Sequence, residues 1–182
     1  MGKTEPSAFA YGGNYVVGKD VWCSENGKDW ECVIPNAPFG FRAGHAMLTF
    51  KDGLWLIGGS SDKGAQNDVW FSKDGKNWKQ VCKSAGFEPR EDFQCFVYDG
   101  KIWVLGGEQP RPNTSSKKLH DLWYTTNGVD WLKSDFVPPF GARNGTAMAF
   151  LNGKLWLVGG ETELNDGSFF PYNNDIWSVD AP

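Results

Sequence analysis

Short apolar runs that end in a pair of glycines recur along the chain. Clear copies occupy residues 53–59, 100–107 and 153–160, and a weaker copy occupies residues 8–13. These runs are too short to form a stable helix, so each one predicts a buried β-strand. The glycine pair lets the backbone turn sharply or approach another segment closely, where a Cβ would not fit.

Three other landmarks repeat in step with these runs. The first is an Asp-apolar-Trp tripeptide, which begins at Asp20, Asp68, Asp121 and Asp175. The second is a polar segment that contains Asn-Gly or Asp-Gly and ends in Trp, and it occupies residues 24–30, 72–78 and 125–131. The third is an arginine that opens an apolar run ahead of the glycine-pair strand, as at Arg42, Arg90 and Arg143.

Together the landmarks predict a unit of four antiparallel strands. The first strand starts at the arginine, the second ends in the glycine pair, the third carries Asp-apolar-Trp, and the fourth follows the polar segment. Six Asn-Gly or Asp-Gly steps, among them Asp52-Gly53, predict two-residue turns because they supply the positive φ that tight hairpins need. A four-stranded meander repeated about every fifty residues is typical of a β-propeller blade.

We interpret residues 1–182 as one all-β propeller domain with repeats at about 7–34, 38–82, 87–133 and 139–179. The two middle repeats are complete, whereas the first lacks its arginine strand and the last stops before a fourth strand. Three interpretations stay open: a fragment of a longer propeller, an unusually small ring, or a homo-oligomer in which copies complete one another.

The ten tryptophans test this interpretation. Every one of them falls on the second, third or fourth strand of a repeat, at an equivalent position. A ligand platform would place tryptophan outside the repeat pattern. We therefore expect the indoles to pack one blade against the next.

The recurring Arg, the Gly-Lys-Leu-Trp-Leu-Val-Gly-Gly of residues 153–160 and the Asn-Asp-Ile-Trp of residues 174–177 resemble the kelch repeat. That repeat builds kelch β-propellers and the propeller domain of galactose oxidase-like proteins. The resemblance covers about residues 8–179 and implies a kelch-type β-propeller of four-stranded blades. Residues 72–78 also resemble the Asp box of sialidase propellers, which implies a structural turn. One fold hosts many functions, so the resemblance leaves function open.

Composition excludes several functional classes. The formal net charge of -4 gives no electrostatic reason to bind nucleic acid or an anionic membrane. No apolar run is long enough to cross a bilayer, and the first residues lack an apolar signal region, which favours a cytoplasmic protein. Cys23, Cys32, Cys82 and Cys95 lack zinc-site spacing, and their repeat equivalents are not cysteines, which favours free thiols over a disulfide framework.

Candidate binding residues converge on one end of the predicted blades. In a kelch-like blade the first strand is innermost, so the loop before it and the loop between strands two and three emerge on one face. That face would carry Arg42, Arg90 and Arg143, the residues after the glycine pairs, Ser60, Glu108 and Glu161, and two long loops at residues 108–119 and 161–173. Loops of such length are often functional. Phe169, Phe170 and Tyr172 have no counterpart in other repeats and are the best candidates for a contact surface.

The arginines admit two interpretations. In the structural one, each guanidinium pairs with a carboxylate of a neighbouring blade. In the functional one, the three guanidinium groups surround a channel mouth and bind a carboxylate, a sugar acid or an acidic peptide. We interpret His45 as a residue at the edge of the core and His120 as a turn residue.

We predict no catalytic residue, metal site or cofactor. The copper ligands of galactose oxidase-like enzymes have no matching positions, and the chain has no nucleophile elbow, phosphate loop or zinc motif. The favoured hypothesis is a module that binds a protein or peptide through Arg42, Arg90, Arg143, Glu108, Glu161, Phe169, Phe170 and Tyr172. The alternatives are a metal-independent protein that acts on an acidic sugar, similar to the kelch-type sialic acid mutarotases, and a structural repeat array in a larger assembly.

Overall fold

The computed structural model describes residues 19–111, 116–162 and 172–180, together with the backbone of residues 2–3. Within these ranges the chain forms β-strands and turns but no helix, and every paired strand is antiparallel. None of the described residues forms a helix long and apolar enough to span a membrane. The all-β architecture expected from the apolar pattern is confirmed. The weak glycine-pair copy at residues 8–13 lies outside the described residues.

Sheet 1 belongs to the first repeat and has three strands. They are β1 (Gly2–Lys3), β2 (Val21–Cys23) and β3 (Glu31–Ile34), in the order β1-β2-β3. β2 carries the first Asp-apolar-Trp motif, and β3 follows the first Asn-Gly segment.

Sheet 2 belongs to the second repeat and contains all four expected strands. They are β4 (Ala46–Phe50), β5 (Gly53–Ser61), β6 (Gly64–Ser72) and β7 (Lys79–Cys82), hydrogen-bonded in chain order. β5 is the Trp strand with the glycine pair. Its ladder with β6 is irregular between Ile57 and Gly59, where both glycines of the pair have positive φ.

Sheet 3 belongs to the third repeat and also has four strands. Its members are β8 (Gln94–Tyr98), β9 (Lys101–Leu105), β12 (Leu122–Thr125) and β13 (Leu132–Lys133). The loop between β9 and β12 forms its own short ladder from β10 (Glu108–Gln109) and β11 (Lys117–Lys118).

Sheet 4 belongs to the fourth repeat and has three strands. They are β15 (Ala147–Leu151), β16 (Lys154–Val158) and β18 (Ile176–Asp180). At its loop end, β14 (Arg143–Asn144) pairs with β17 (Glu161–Thr162).

The turns differ from the sequence expectation in two ways. In sheet 2, Phe50 pairs with Gly53, so the tight turn is Lys51-Asp52 and not the predicted Asp52-Gly53. The turns Asp99-Gly100 and Asn152-Gly153 do have positive φ at both residues, as predicted. The hairpins between the third and fourth strands are longer than two residues, because six or seven residues separate the paired strands there.

Side chains close these longer hairpins. In sheet 2 the Asp74 carboxylate accepts the backbone N–H groups of Lys76 and Asn77, at 2.9 and 2.7 Å. Ser72 Oγ accepts the N–H of Gly75 at 2.9 Å, and Trp78 Nε1 donates to the Gly75 carbonyl oxygen at 3.0 Å. These polar groups form their hydrogen bonds within the turn, which fits a structural role for the segment that resembles an Asp box.

Apolar side chains fill the space between consecutive sheets. Trp55, Ile57 and Val69 of sheet 2 share a buried cluster with Phe87 and Trp131 of repeat 3. Trp103 and Leu122 of sheet 3 cluster in the same way with Phe140, Leu157 and Trp177 of repeat 4. The indoles therefore pack repeat against repeat. All four cysteines are free thiols.

Candidate functional site

Each landmark arginine of repeats 2 to 4 is fixed inside its own sheet. Arg90 donates two hydrogen bonds to the Asp121 carboxylate, from Nη1 to Oδ1 at 2.7 Å and from Nη2 to Oδ2 at 3.0 Å. Nη1 also donates to the carbonyl oxygen of Gly106, the first glycine of the pair, at 2.9 Å. Trp123 Nε1 donates to Asp121 Oδ2 at 2.7 Å. The arginine, the glycine pair and the Asp-apolar-Trp motif therefore form one hydrogen-bonded unit.

The same unit recurs in the neighbouring repeats. Arg42 binds Asp68 at 2.8 and 2.6 Å, and Arg143 binds Asp175 at 2.9 and 3.2 Å. The expectation of a carboxylate from a neighbouring blade is wrong, because in each repeat the partner lies in the same repeat. The third strand of the sheet starts beside the glycine pair, and its leading aspartate therefore reaches the arginine.

Burial and pairing leave the guanidinium groups no room for an external carboxylate. Arg90 is fully buried, and Arg42 and Arg143 are nearly so. Burial alone would raise the pKa of Asp121, but the hydrogen bonds and charge of Arg90 hold that pKa below its ordinary value. The structural interpretation of the three arginines is therefore the one that their geometry supports.

Cross-strand pairing instead gathers other side chains into rows at the loop end of the sheets. In repeat 3, Glu91 pairs with Glu108, and Glu108 pairs with Lys118. Directly paired residues project their side chains to the same side of a sheet, so these three form a row. The equivalent rows are Ala43, Ser60 and Ala65 in repeat 2, and Asn144, Glu161 and Tyr172 in repeat 4. We call the surface formed by these three rows the loop face.

Three carboxyl groups converge on the loop face. Carboxylate oxygens of Glu91, Asp92 and Glu108 all lie within 4.8 Å of one another, and we call these residues the carboxylate cluster. Burial and the nearby charges of Asp92 and Glu108 raise the pKa of Glu91, against a hydrogen bond with Ser60. Burial and the charge of Glu108 likewise raise the pKa of Asp92. Raised pKa values in a cluster of like charges mark a site that favours added positive charge.

Lys118 connects the rows of repeats 3 and 4. Its Nζ lies 2.7 Å from Glu108 Oε2 and 3.4 Å from Glu161 Oε1, and its side chain is almost completely buried. One ammonium group thus faces four carboxyl groups, those of the cluster and of Glu161. The loop face keeps a net negative charge.

Asn144 adds an acceptor to the same face. It pairs directly with Glu161, so its side chain lies on the side of the sheet where Glu161 reaches Lys118. Asn144 is only 5% exposed, and its buried Oδ1 accepts no hydrogen bond from any part of the chain that the structure describes. A buried acceptor without a partner is costly, and a bound donor or cation would satisfy it.

Asp92 departs from the repeat in residue type, although its backbone conformation is shared with the equivalent glycines. Its φ is 52°, in the left-handed region, at the position where the other repeats have Gly44 and Gly145. Asp92 N–H donates to the Gly44 carbonyl oxygen at 2.9 Å, and Gly145 N–H donates to the Asp92 carbonyl oxygen at 3.0 Å. These bonds join three sheets in a backbone seam. An aspartate in this conformation costs free energy, which supports a role for its carboxylate.

The structure brings some of the predicted site residues together and does not describe others. Glu108 and Glu161 meet through Lys118, and Tyr172 is largely exposed in the same row as Glu161. Phe169 and Phe170 lie outside the described residues. Sequence reasoning missed Glu91 and Asp92, although a signal existed: Arg90-Glu91-Asp92 stands where the other repeats read Arg-Ala-Gly and Arg-Asn-Gly.

The two histidines have structural surroundings. Burial, followed by the charge of Arg42, lowers the pKa of His45 to about 4, so that its imidazole is neutral at neutral pH. His120 Nε2 lies 3.0 Å from the Pro138 carbonyl oxygen, as befits a turn residue.

An open cleft of about 470 Å³ lies elsewhere, between the hairpins of repeats 1 and 2. Cys23, Asn26, Asp29 and Trp30 contribute to its lining. Two of its polar side chains are engaged within their own turn, since Asn26 donates to the Asp29 carboxylate and accepts backbone N–H groups. The cleft therefore offers less chemistry than the loop face.

Comparisons with known proteins support the fold. The solved structure of YjhT matches with a TM-score of 0.64 and 18% sequence identity, over 79% of this chain. The match covers 53% of YjhT, so the chain spans about half the length of that structure. No curated protein matches the sequence. Residues 45–180 match the family described as the DUF6242 beta propeller domain, which confirms the expected β-propeller. The chain belongs to the DUF6242 beta propeller domain family.

Proposed function

We propose that this chain is a binding module whose loop face takes a positively charged segment of a protein or peptide. The observation that carries the proposal is the carboxylate cluster, which shares the loop face with a buried Asn144 amide oxygen that accepts no hydrogen bond from the described residues. Lysine and arginine side chains bring the N–H donors and the positive charge that both features lack.

The electrostatics of the loop face favour a cationic ligand. Partial burial, followed by repulsion between the carboxylates, raises the pKa of Glu91 and Asp92, so the ionised cluster is destabilised in the free protein. A cationic side chain close to these carboxylates would remove that repulsion and lower both pKa values. Lys118 is held between Glu108 and Glu161, so Glu91 and Asp92 are the groups best placed to meet an incoming cation.

The proposal keeps the expected protein or peptide partner but reverses its charge. An acidic peptide or an acidic sugar would need the guanidinium groups of Arg42, Arg90 and Arg143, which are bound to aspartates. The recurring unit of arginine, glycine pair and Asp-apolar-Trp also supports a kelch-type blade as the finer description of the fold.

Fluorescence anisotropy with a labelled oligolysine peptide tests the proposal, with oligoglutamate as the probe of opposite charge. Wild-type protein should bind oligolysine at low salt and release it as salt rises. The Glu91→Gln/Asp92→Asn variant should weaken binding about tenfold or more, which corresponds to about 1.4 kcal/mol.

A matched control removes two carboxylates at the opposite end of the strands. Asp52→Asn/Asp99→Asn changes the net charge equally but affects turn residues far from the loop face, so it should leave oligolysine affinity nearly unchanged. If both double variants lost the same oligolysine affinity, net charge alone would explain the binding, and the proposal would be overturned.

Binding experiments with calcium and with sialic acid distinguish the proposed function from the alternative functions. Calcium binding by the cluster without oligolysine binding would identify a site for a hard cation, since calcium prefers oxygen ligands, and would overturn the peptide proposal. Binding of sialic acid with loss in Arg90→Ala would favour the acidic sugar instead.

A further inference from the structure

Sheet 4 presents an apolar face that its equivalents in sheets 2 and 3 keep buried. We call the side of each sheet that contacts the following repeat its forward face. At one forward-face position, Ile57 and Leu105 are 0% and 5% exposed, whereas Val158 is 45% exposed. At another, Val69 and Leu122 are 0% and 3% exposed, whereas Ile176 is 66% exposed.

Most of the exposure of sheet 4 lies on one side. In β18, Ile176, Ser178 and Asp180 are exposed, while the alternating residues Trp177 and Val179 are partly buried. In β15, Ala147 and Ala149 are exposed, and Met148 on the other side packs against sheet 3. Because alternate residues of a strand face opposite sides, the sheet is covered behind and open in front.

The two middle repeats show what covers such a face. Phe87, Val104 and Trp123 of repeat 3 pack on the forward face of sheet 2. Phe140, Leu157 and Trp177 of repeat 4 pack on the forward face of sheet 3. In each case the cover is the back face of another repeat, with a phenylalanine, an aliphatic residue and a tryptophan at equivalent positions.

The first repeat offers one element of such a back face, the tryptophan of its Asp-apolar-Trp motif. Val21 of β2 is buried on its forward side in a cluster with Phe39 and Leu56 of repeat 2. Trp22, the next residue, points to the back and is partly exposed. It occupies the position that Trp123 and Trp177 hold when they pack against the preceding sheets.

We propose that the forward face of sheet 4 is an interface for a second copy of this chain, which docks the back face of its sheet 1 there. Two such contacts, related by a two-fold axis, close a ring of two chains. An interface of this kind continues the packing already present between repeats.

The mass in solution is the first test. Light scattering and sedimentation velocity of the full chain over a hundredfold range of concentration should show a species of twice the chain mass of 20.3 kDa. Ile176→Asp should shift it to a monomer with an unchanged circular dichroism spectrum. Val137→Asp is the control, because Val137 is also apolar and exposed but lies off the forward face, so it should leave the dimer intact.

A mixing experiment tests which faces meet. Trp22→Glu should also yield a monomer, since it damages the other half of the same contact. Mixed with Ile176→Asp, it should regain a dimer, because the pair retains one undamaged interface. A wild-type monomer at every concentration, or a dimer that survives Ile176→Asp, would overturn the proposal. A dimer formed by Trp22→Glu alone, with no heterodimer when Ile176→Asp is added, would show that two forward faces meet, and would equally overturn the head-to-tail arrangement.

Discussion

The indole of Trp55 in sheet 2 lies directly against Gly128, in the hairpin of repeat 3. A Cβ built on Gly128 would overlap the ring atoms of Trp55, and Gly128 also has a φ of 76°. The same hairpin position in repeat 1 is Gly27, whose φ is 75° and whose Cβ would meet nothing within 4 Å. Identical turns thus differ in one respect, which is contact with the preceding repeat.

We expect Gly128→Ala to destabilise the fold far more than Gly27→Ala. The left-handed backbone should cost each variant roughly 1 kcal/mol, and the overlap with Trp55 should add about 1–3 kcal/mol to the first. Urea denaturation followed by tryptophan fluorescence measures both. Equal losses would show that the hairpin of repeat 3 can move away from Trp55 without cost.

The ion pair of repeat 3 should be worth more than that of repeat 4. Asp121→Ala leaves the fully buried Arg90 without its partner, and breaking a buried pair typically costs about 3–5 kcal/mol. Asp175→Ala should cost less, because the Asp175 side chain is 36% exposed and water already screens the pair. Thermal melts of the two variants test this order, and an equal or reversed order would contradict it.

The charge of Glu91 should make stability depend on pH. Its pKa is raised in the folded chain, so the ionised form costs stability at neutral pH, and that cost disappears as the pH falls through the folded-state pKa. Glu91→Gln should therefore raise the melting temperature at pH 7 and lose this advantage near pH 4. Glu88→Gln is the control, since exposed Glu88 pairs with Lys117 and should show no such gain. A gain in melting temperature that is constant across pH would show that packing, and not the charge of Glu91, is its cause.

The aspartate at position 92 should lower the free energy of unfolding. Asp92→Gly removes the left-handed strain and should stabilise the fold by roughly 0.5–1 kcal/mol, whereas Asp92→Asn keeps the strain and removes only the charge. The reverse change, Gly145→Asp, should cost a similar amount at the equivalent position, where φ is 61° and no atom lies within 4 Å of a built Cβ. Chemical denaturation of the three variants measures these differences. A destabilised Asp92→Gly would show that the carboxylate supports the fold.

Local and repeated features were the ones that sequence could predict. The glycine pairs, the Asp-apolar-Trp strands and the packing of indoles between repeats all depend on short segments that recur, so each copy supports the others. Gly53 is a position where the repeated pattern predicts the wrong role. It resembles a turn glycine, but it lies within β5, where a Cβ would come within 2.6 Å of the Ser72 carbonyl oxygen and overlap the Phe71 ring. Tertiary packing, not turn geometry, requires glycine there.

The candidate site was harder to predict because it depends on register. Glu108 and Glu161 were expected on the loop face from their place after the glycine pairs. Glu91 joins Glu108 only through a cross-strand pair, and Lys118 reaches Glu161 of the next repeat. The arginines were assigned to the right end of the strands, but their aspartate partners lie 26 to 32 residues away in the sequence, so which carboxylate neutralises each arginine was not apparent.

The backbone seam through Gly44, Asp92 and Gly145 has a consequence for how the molecule opens. Its hydrogen bonds run from repeat to repeat and not within one sheet, so the third repeat cannot unravel alone without breaking bonds to both of its neighbours. In repeat proteins, such nearest-neighbour coupling makes adjacent units open as one cooperative body. The amide protons of Asp92 and Gly145 should accordingly exchange with solvent at the same slow rate, as reporters of a single shared opening event.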